Sequence, residues 1–391
     1  MTAWGMAFLR AIVSIAAVPA LLLGCSAQEK TPAAAPDNGS SSSVAPLSNQ
    51  RPAAPAPAAC ADIANMSTRD KLAQLLMVGV RNADDARAVV GDQHVGGIFI
   101  GSWTDLSMLS DGSLADIVNA GPMPLAVSVD EEGGRVERLA SLIGSQPSPR
   151  VLAQTNTPDQ VYQIALDRGR QMRGLGITVD FAPVVDVTGD ADDTVIGDRS
   201  FSADPAVVTE YAGAYARGLR DGGVLPVLKH FPGHGHASGD SHENGVVTPP
   251  LADLQNNDLV PYRTLTTEAP VGVMIGHMQV PGLTGSDPAS LSSAAVGLLR
   301  SGGYGGPGFN GPVFSDDLSS MGAINQRFGV PDAVLRSLQA GIDTALWVST
   351  DEVPAVLDRL EKAVDGGELS MPAVDASLQR MAPVKSPGTP C

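Results

Sequence analysis

The chain has 391 residues and a formal net charge of −17; 43% of it is hydrophobic but only 4% aromatic. That length suits one large barrel domain with extra segments, and the apolar share is enough for a large core built mainly of Ala, Val, Leu and Ile. So acidic a chain lacks the positive surface that displaces counterions from phosphate, which excludes nucleic acid as a partner and gives no electrostatic reason to bind anionic lipid; the acidity itself reads as a solubility feature.

In chain order, residues 1–24 read as a signal peptide. Arg10 precedes an uncharged apolar run, 11–23, too short to cross a bilayer as a helix but right for a signal-peptide core. The run ends Leu22-Leu23-Gly24-Cys25, which resembles a bacterial lipobox, where the cysteine is diacylated and becomes the new N-terminus. An ordinary signal peptide with an incidental cysteine is the alternative. The lipobox reading places the chain outside the cell, held to the membrane through lipidated Cys25, because more than one acyl chain makes a stable anchor. Residues 25–59 are Ala, Pro, Ser and Gln with almost no large apolar side chains, and read as a disordered tether. The globular part is 60–391. Cys60 and Cys391 bracket it in an oxidising compartment, and are expected to pair as a disulfide.

Within 60–391, strand-length apolar runs fall at 74–80, 95–100, 125–129, 177–187, 224–229, 271–275, 312–315 and 344–348. Helical patterns fall at 113–120, 158–175, 205–221, 251–268, 293–300, 331–340 and 354–365. Continuous apolar strands alternating with helices mean a parallel sheet covered on both sides, and about eight of them favour an α/β fold of the TIM type, a (β/α)8 barrel forming a single catalytic domain. Polar residues gather where these strands stop. Asp130, Glu131 and Glu132 follow one, Lys229 and His230 another, His277 a third, and Asp316 and Asp317 a fourth, while the 177–187 run carries Asp180 inside it and Asp186 near its end. In a barrel those ends form one face, and active sites are found there.

Four of the six histidines lie in residues 229–242, Lys-His-Phe-Pro-Gly-His-Gly-His-Ala-Ser-Gly-Asp-Ser-His. A metal site is one reading, but glycines interleave the histidines in what reads as an irregular, mobile loop, and no helical His-x-x-x-His pair is present. A purely structural loop is another. The third is acid/base catalysis: His changes charge near neutral pH, and Asp240, two residues before His242, is placed to orient its ring and fix its tautomer. A nucleophile is offered by Asp316-Asp317. Neighbours at a strand end point opposite ways; Asp317 suits the N-cap of a helix over 318–323, which leaves Asp316 for chemistry.

The sequence Lys229-His230-Phe231-Pro232-Gly233-His234-Gly235 with Asp240-Ser241-His242 resembles the signature of the glycoside hydrolase family 3 β-N-acetylhexosaminidases. Asp130 to Val136, Phe181 to Val187, Ile196 to Phe201, Ser315 to Leu318 and Ala340 to Asp343 resemble further family segments, in the family's order, over roughly 65–350. The resemblance implies a retaining enzyme that needs no cofactor or metal. Asp316 would be the nucleophile and His242 the acid/base, oriented by Asp240. Asp130, Arg138, Arg199, Lys229 and His230 would hold the sugar. It further implies peptidoglycan-derived saccharides as substrate, GlcNAc being cleaved from GlcNAc-MurNAc fragments. Glycines 233, 235 and 239 would let the acid/base loop move. The loop departs from the family in reading Glu243 where a proline would follow the histidine. Release of GlcNAc-1-phosphate to phosphate instead of water, and a non-catalytic surface-binding lipoprotein, are the alternatives. A tethered monomer is the default expectation.

Overall fold

The computed structural model describes residues 63–268 and 270–385; the expected signal peptide, lipidation of Cys25, tether and pairing of Cys60 with Cys391 fall on residues outside those described. Ten strands are present among those residues: β1 (Leu76–Gly79), β2 (Gly97–Ile100), β3 (Ala126–Val129), β4 (Val179–Asp180), β5 (Leu225–Phe231), β6 (Val246–Val247), β7 (Gly272–Ile275), β8 (Met278–Gln279), β9 (Val313–Ser315) and β10 (Ala345–Trp347). Eight form one parallel sheet in the order β10-β1-β2-β3-β4-β5-β7-β9. A parallel bridge from Phe314 to Thr344 and a 3.1 Å bond from the Ser315 N–H to the Thr344 carbonyl bring β9 against β10. The ring is thereby closed into the (β/α)8 barrel expected. Strands β6 and β8 form a separate parallel pair.

Strand alternation explains why both faces are apolar. Val78, Ile98, Val127, Leu228, Val273, Val313 and Ala345 point outward into the layer shared with the helices. Met77, Phe99, Ala126, Val179, Val227, Met274, Phe314 and Leu346 point inward and pack with one another. The inside is a solid core and not a pore. The C-terminal helix, Met371–Lys385, closes its lower end: Met381 and Val384 join the inward cluster, and Lys385 Nζ reaches Gln74 Oε1 at 2.6 Å.

Three expected elements differ in form. The 177–187 run is a regular strand only at Val179–Asp180, with one later bridge from Val184 to Lys229; single backbone bonds to its neighbours continue, such as Val227 N–H to the Ala182 carbonyl, but Pro183 has no N–H to extend the ladder. The helix expected over 251–268 is two, Leu251–Asn256 and Val260–Leu265, the second opening with Pro261, since the residue before a proline is disfavoured in helix and proline is at home in a first turn. No helix covers 318–323. Asp317 instead accepts the N–H groups of Ser319 (2.8 Å) and Ser320 (3.0 Å) in a turn, and the next helix is Gly322–Asn325.

Asp343 fastens the closing helix to the barrel. It is fully buried and accepts from Arg300 (2.6 Å) and the Val313 N–H (2.9 Å) through one oxygen. The other oxygen accepts from Ser377 and Arg380 at 2.8 Å each. Asp343→Ala leaves two guanidinium groups and a strand N–H without their partner. It should destabilise the fold by about 3 kcal/mol, read as a lower urea midpoint at unchanged m-value; a loss within experimental error would show that the clamp does not hold the helix.

Candidate active site

The alternation that fills the barrel also aims the polar residues. On β3 the inward series Ala126, Ser128 continues to Asp130; on β5 Val227 is followed by Lys229; on β9 Phe314 is followed by Asp316. One step above the solid core, these side chains line a cavity of about 260 Å3. Arg138, Arg199, His230, Asp240 and His242 line it too, so every sugar-binding and catalytic residue singled out from sequence comes to this one place.

Three residues in a row divide by the same rule. Asp130 points in, Glu131 out and Glu132 in. Glu131 pairs with Arg168 of the helix Pro158–Gly174 and accepts the N–H groups of Arg138 (2.7 Å) and Leu139 (3.0 Å), so it shapes the loop carrying Arg138. Glu132 lies between two cations, Lys229 Nζ at 2.6 Å and Arg199 at 2.7 and 2.8 Å. Burial opposes its charge, but Arg199 and Lys229 outweigh burial and hold its carboxyl well below the usual range. Lys229, itself buried, also meets Asp130 at 2.6 Å, and the two carboxylates keep its pKa raised against burial. Gly133 and Gly134, at φ of 93° and 61°, turn the chain away directly after this cluster, a conformation costly for other residues.

The histidines have separate tasks. His230 Nδ1 meets Asp186 at 2.7 Å, leaving Nε2 toward Arg199 at 3.5 Å. Asp186 also accepts the His234 N–H at 2.7 Å, and His234 Nε2 meets Ser241 Oγ at 3.0 Å. His234 is buried, which pushes its pKa down to about 4 and suits a neutral, structural ring. His236 meets Asp258 at 3.0 Å. His277 lies between Ser290 Oγ and the Asp317 carbonyl, both at 2.7 Å, and so braces the strand end that carries Asp316. Asp316 accepts the Asp317 N–H at 2.9 Å. Burial works against its ionisation, but the rings of His277, His230 and His242 and that N–H outweigh it and hold the carboxyl at about 2. His242 Nδ1 meets Asp240 Oδ1 at 2.7 Å, which leaves Nε2 unpaired; the ring is 59% exposed.

The loop itself differs from the expectation of general mobility. Strand β5 runs on to Phe231, and residues 226–235 are all buried. Gly233 and Gly235 serve close packing, not motion: a Cβ on Gly235 would lie 2.1 Å from the Val187 carbonyl, and one on Gly233 2.5 Å from the Asp258 side chain. A Cβ on Gly239 would meet only Val246, in ordinary contact at 3.7 Å. The segment bearing Asp240 and His242 is docked beyond Asp316: the N–H groups of Gly322 and Ala323 donate to the carbonyls of His242 (2.9 Å) and Ser241 (3.2 Å), and Gln326 donates to that of Glu243 (2.8 Å). Glu132, Asp186 and Gly322 were not assigned site roles from sequence. The first two stood in polar groups at strand ends; nothing in the sequence marked Gly322.

Comparison with known proteins agrees with this architecture. Beta-hexosaminidase LpqI of Mycobacterium tuberculosis is 65% identical over 393 residues, covering 99% of this chain and 100% of that protein. A glycosyl hydrolase of the GH3 family from Mycobacterium smegmatis is 77% identical in its crystal structure, with a TM-score of 0.83 over 83% of this chain and 99% of that one. A glycoside hydrolase family 3 beta-N-acetylglucosaminidase from Paenibacillus is 30% identical, with a TM-score of 0.76 over 82% of this chain and 62% of that one. With the barrel and its polar mouth, these likenesses make the chain a glycoside hydrolase. It belongs to glycosyl hydrolase family 3, whose N terminal domain pattern matches residues 67–384.

A Cβ on Gly322 would lie 2.1 Å from the Glu243 carbonyl oxygen, so Gly322→Ala should lift the 241–243 segment from its dock. Amide exchange at 322 and 323 should rise, exchange along β5 should stay as it is, and turnover should drop about 10²-fold, the usual scale for an ångström-size displacement of catalytic groups. Unchanged exchange at 322 and 323 would mean that the segment is held by other contacts.

Proposed function

We propose that this hydrolase is a retaining exo-β-N-acetylglucosaminidase that frees non-reducing GlcNAc from peptidoglycan fragments of the GlcNAc-MurNAc type. One observation carries the reading: Asp316 and the Asp240–His242 pair line the same monosaccharide-sized cavity with the Asp130, Lys229 and Arg199 cluster. The β-hexosaminidase and beta-N-acetylglucosaminidase names of its relatives support the activity. A peptidoglycan substrate suits an enzyme held outside the cell membrane through Cys25, which we propose as its location.

The mechanism uses each group once per half-reaction. Asp130, Lys229, Arg199, Arg138 and His230 hold the hydroxyls and acetamide. An Asp316 oxygen attacks the anomeric carbon, the bond to the leaving oxygen breaks, and His242 Nε2 gives that oxygen its proton. Neutral His242 then takes a proton from water as the water attacks the same carbon and releases Asp316. Two inversions give net retention. With its carboxyl held at about 2, Asp316 is ionised across the working range. Asp240 keeps the Nδ1 proton in place, so that Nε2 is the nitrogen that exchanges.

Asp316→Ala should lower kcat at least about 10⁴-fold. His242→Ala should lower it about 10²- to 10⁴-fold on unactivated saccharides and much less on aryl glycosides, whose leaving groups need no proton. Equal loss on both substrates would remove His242 as the acid. The acceptor is checked by product analysis with and without phosphate: GlcNAc is expected in both, and GlcNAc-1-phosphate as the main product would replace water by phosphate.

A further inference from the structure

The cavity holding Asp316 and His242 has room for one sugar ring, so the rest of a saccharide must lie on the barrel mouth outside it. Among the described residues Trp103 is the one exposed large aromatic, at 45%. Its place follows from two missing side chains. On β1 the inward residue above Met77 is Gly79, and above Phe99 of β2 it is Gly101. A Cβ on Gly101 would lie 2.4–2.5 Å from the indole ring, and one on Gly79 2.8 Å from it. The indole therefore lies across the two glycines, in the layer where neighbouring β3 presents Asp130.

The ring is fixed from below and behind. Phe99 packs against it at 6.0 Å and begins an aromatic row through Phe181 (6.0 Å) to Phe314 (5.5 Å), two residues before Asp316. Thr104 pins the turn that carries Trp103: its hydroxyl donates to the Val80 carbonyl at 2.6 Å and accepts the Gly101 N–H at 3.0 Å. In front of the indole, between Gly79, Arg81, Val348, Thr350 and Asp351, is a second cavity of about 260 Å3, the same size as the first. Its wall is tied to the turn that follows Asp316: the Val348 N–H donates to Ser319 Oγ at 3.2 Å, and that hydroxyl donates to Asp317.

We propose that Trp103 is the floor of a second saccharide subsite, on which the ring carrying the leaving oxygen stacks. The proposal rests on the exo-glycosidase reading above: with the terminal sugar enclosed in the first cavity, the next ring is the leaving group. The axial C–H bonds of a β-linked pyranose make an apolar face that matches an open indole, while Arg81, Thr350 and Asp351 offer polar partners at its edge. A rigid aromatic held in place before binding adds affinity at little ordering cost. The preference that follows is for disaccharides and longer chains over GlcNAc on a small leaving group.

The test uses the full-length protein with Trp103→Ala and Trp103→Phe. On GlcNAc-β-1,4-MurNAc, Trp103→Ala should lose about tenfold or more in kcat/KM, mainly through KM. Trp103→Phe should recover most of the loss. The inhibition constant of free GlcNAc should move less than about twofold, because that sugar occupies the first cavity. In the Asp316→Ala background, the disaccharide should bind about tenfold more weakly when Trp103 is also Ala. Equal loss for free GlcNAc and disaccharide would overturn the proposal by putting the indole against the terminal sugar, and so would unchanged binding of the disaccharide. Failure of the wild-type protein to cleave the disaccharide would instead count against the glycosidase reading, and the binding comparison in Asp316→Ala stands apart from it.

Discussion

Everything at the mouth of this barrel depends on the inside being full. Met77, Phe99, Phe181, Met274, Phe314 and Leu346 leave no channel, so no ligand passes beneath them. The cavity lies in the next inward layer, where strand alternation delivers Asp130, Lys229 and Asp316 from three different strands. The same layer is empty over β1 and β2, where Gly79 and Gly101 stand, and the indole of Trp103 occupies that gap. A core residue and a site residue two positions apart are thus one geometric unit, and packing errors below transmit directly to the carboxylates above.

Charge balance in this layer is as constrained as packing. Lys229 and Arg199 are both buried against carboxylates, and a cation so placed is tolerated only when paired. Glu132 supplies charge to both, and Asp130 supplies Lys229 as well, so the cluster keeps its cations oriented while leaving donors toward the cavity. Asp186 does similar work for His230 and His234. The Asp240–His242 pair is built on another principle. Asp240 and His242 lie on an exposed segment whose position depends on three backbone-directed bonds from Gly322, Ala323 and Gln326.

Much of this could be read from the linear chain, for a definite reason. Parallel strands buried on both faces appear as continuous apolar runs, so all eight barrel strands were visible, and the residues just after them had to gather on one face. That is why Asp130, Lys229, His230 and Asp316 could be placed together before any coordinates. The 177–187 run misled in length because an internal proline, lacking an N–H, interrupts the regular ladder without breaking hydrophobicity. The 229–235 segment misled in character because glycine marks close approach as often as freedom. In sequence Gly233 and Gly235 look the same as Gly239; only their neighbours, Asp258 and Val187, tell them apart.

The sequence alone determined the barrel class, the family signature and which polar side chains gather at the barrel mouth, because strand periodicity and local motif are properties of neighbouring residues. Tertiary structure decided which carboxylate serves which cation. Glu131 and Glu132 are chemically the same and adjacent, yet one turns out to Arg168 and the other in to Arg199 and Lys229. It also decided that the segment of His242 docks on Gly322, and that Trp103, in the turn after β2, lies against Gly79 of β1. Each of these pairs residues far apart in the chain, and the distance between such residues is set only when the sheet closes.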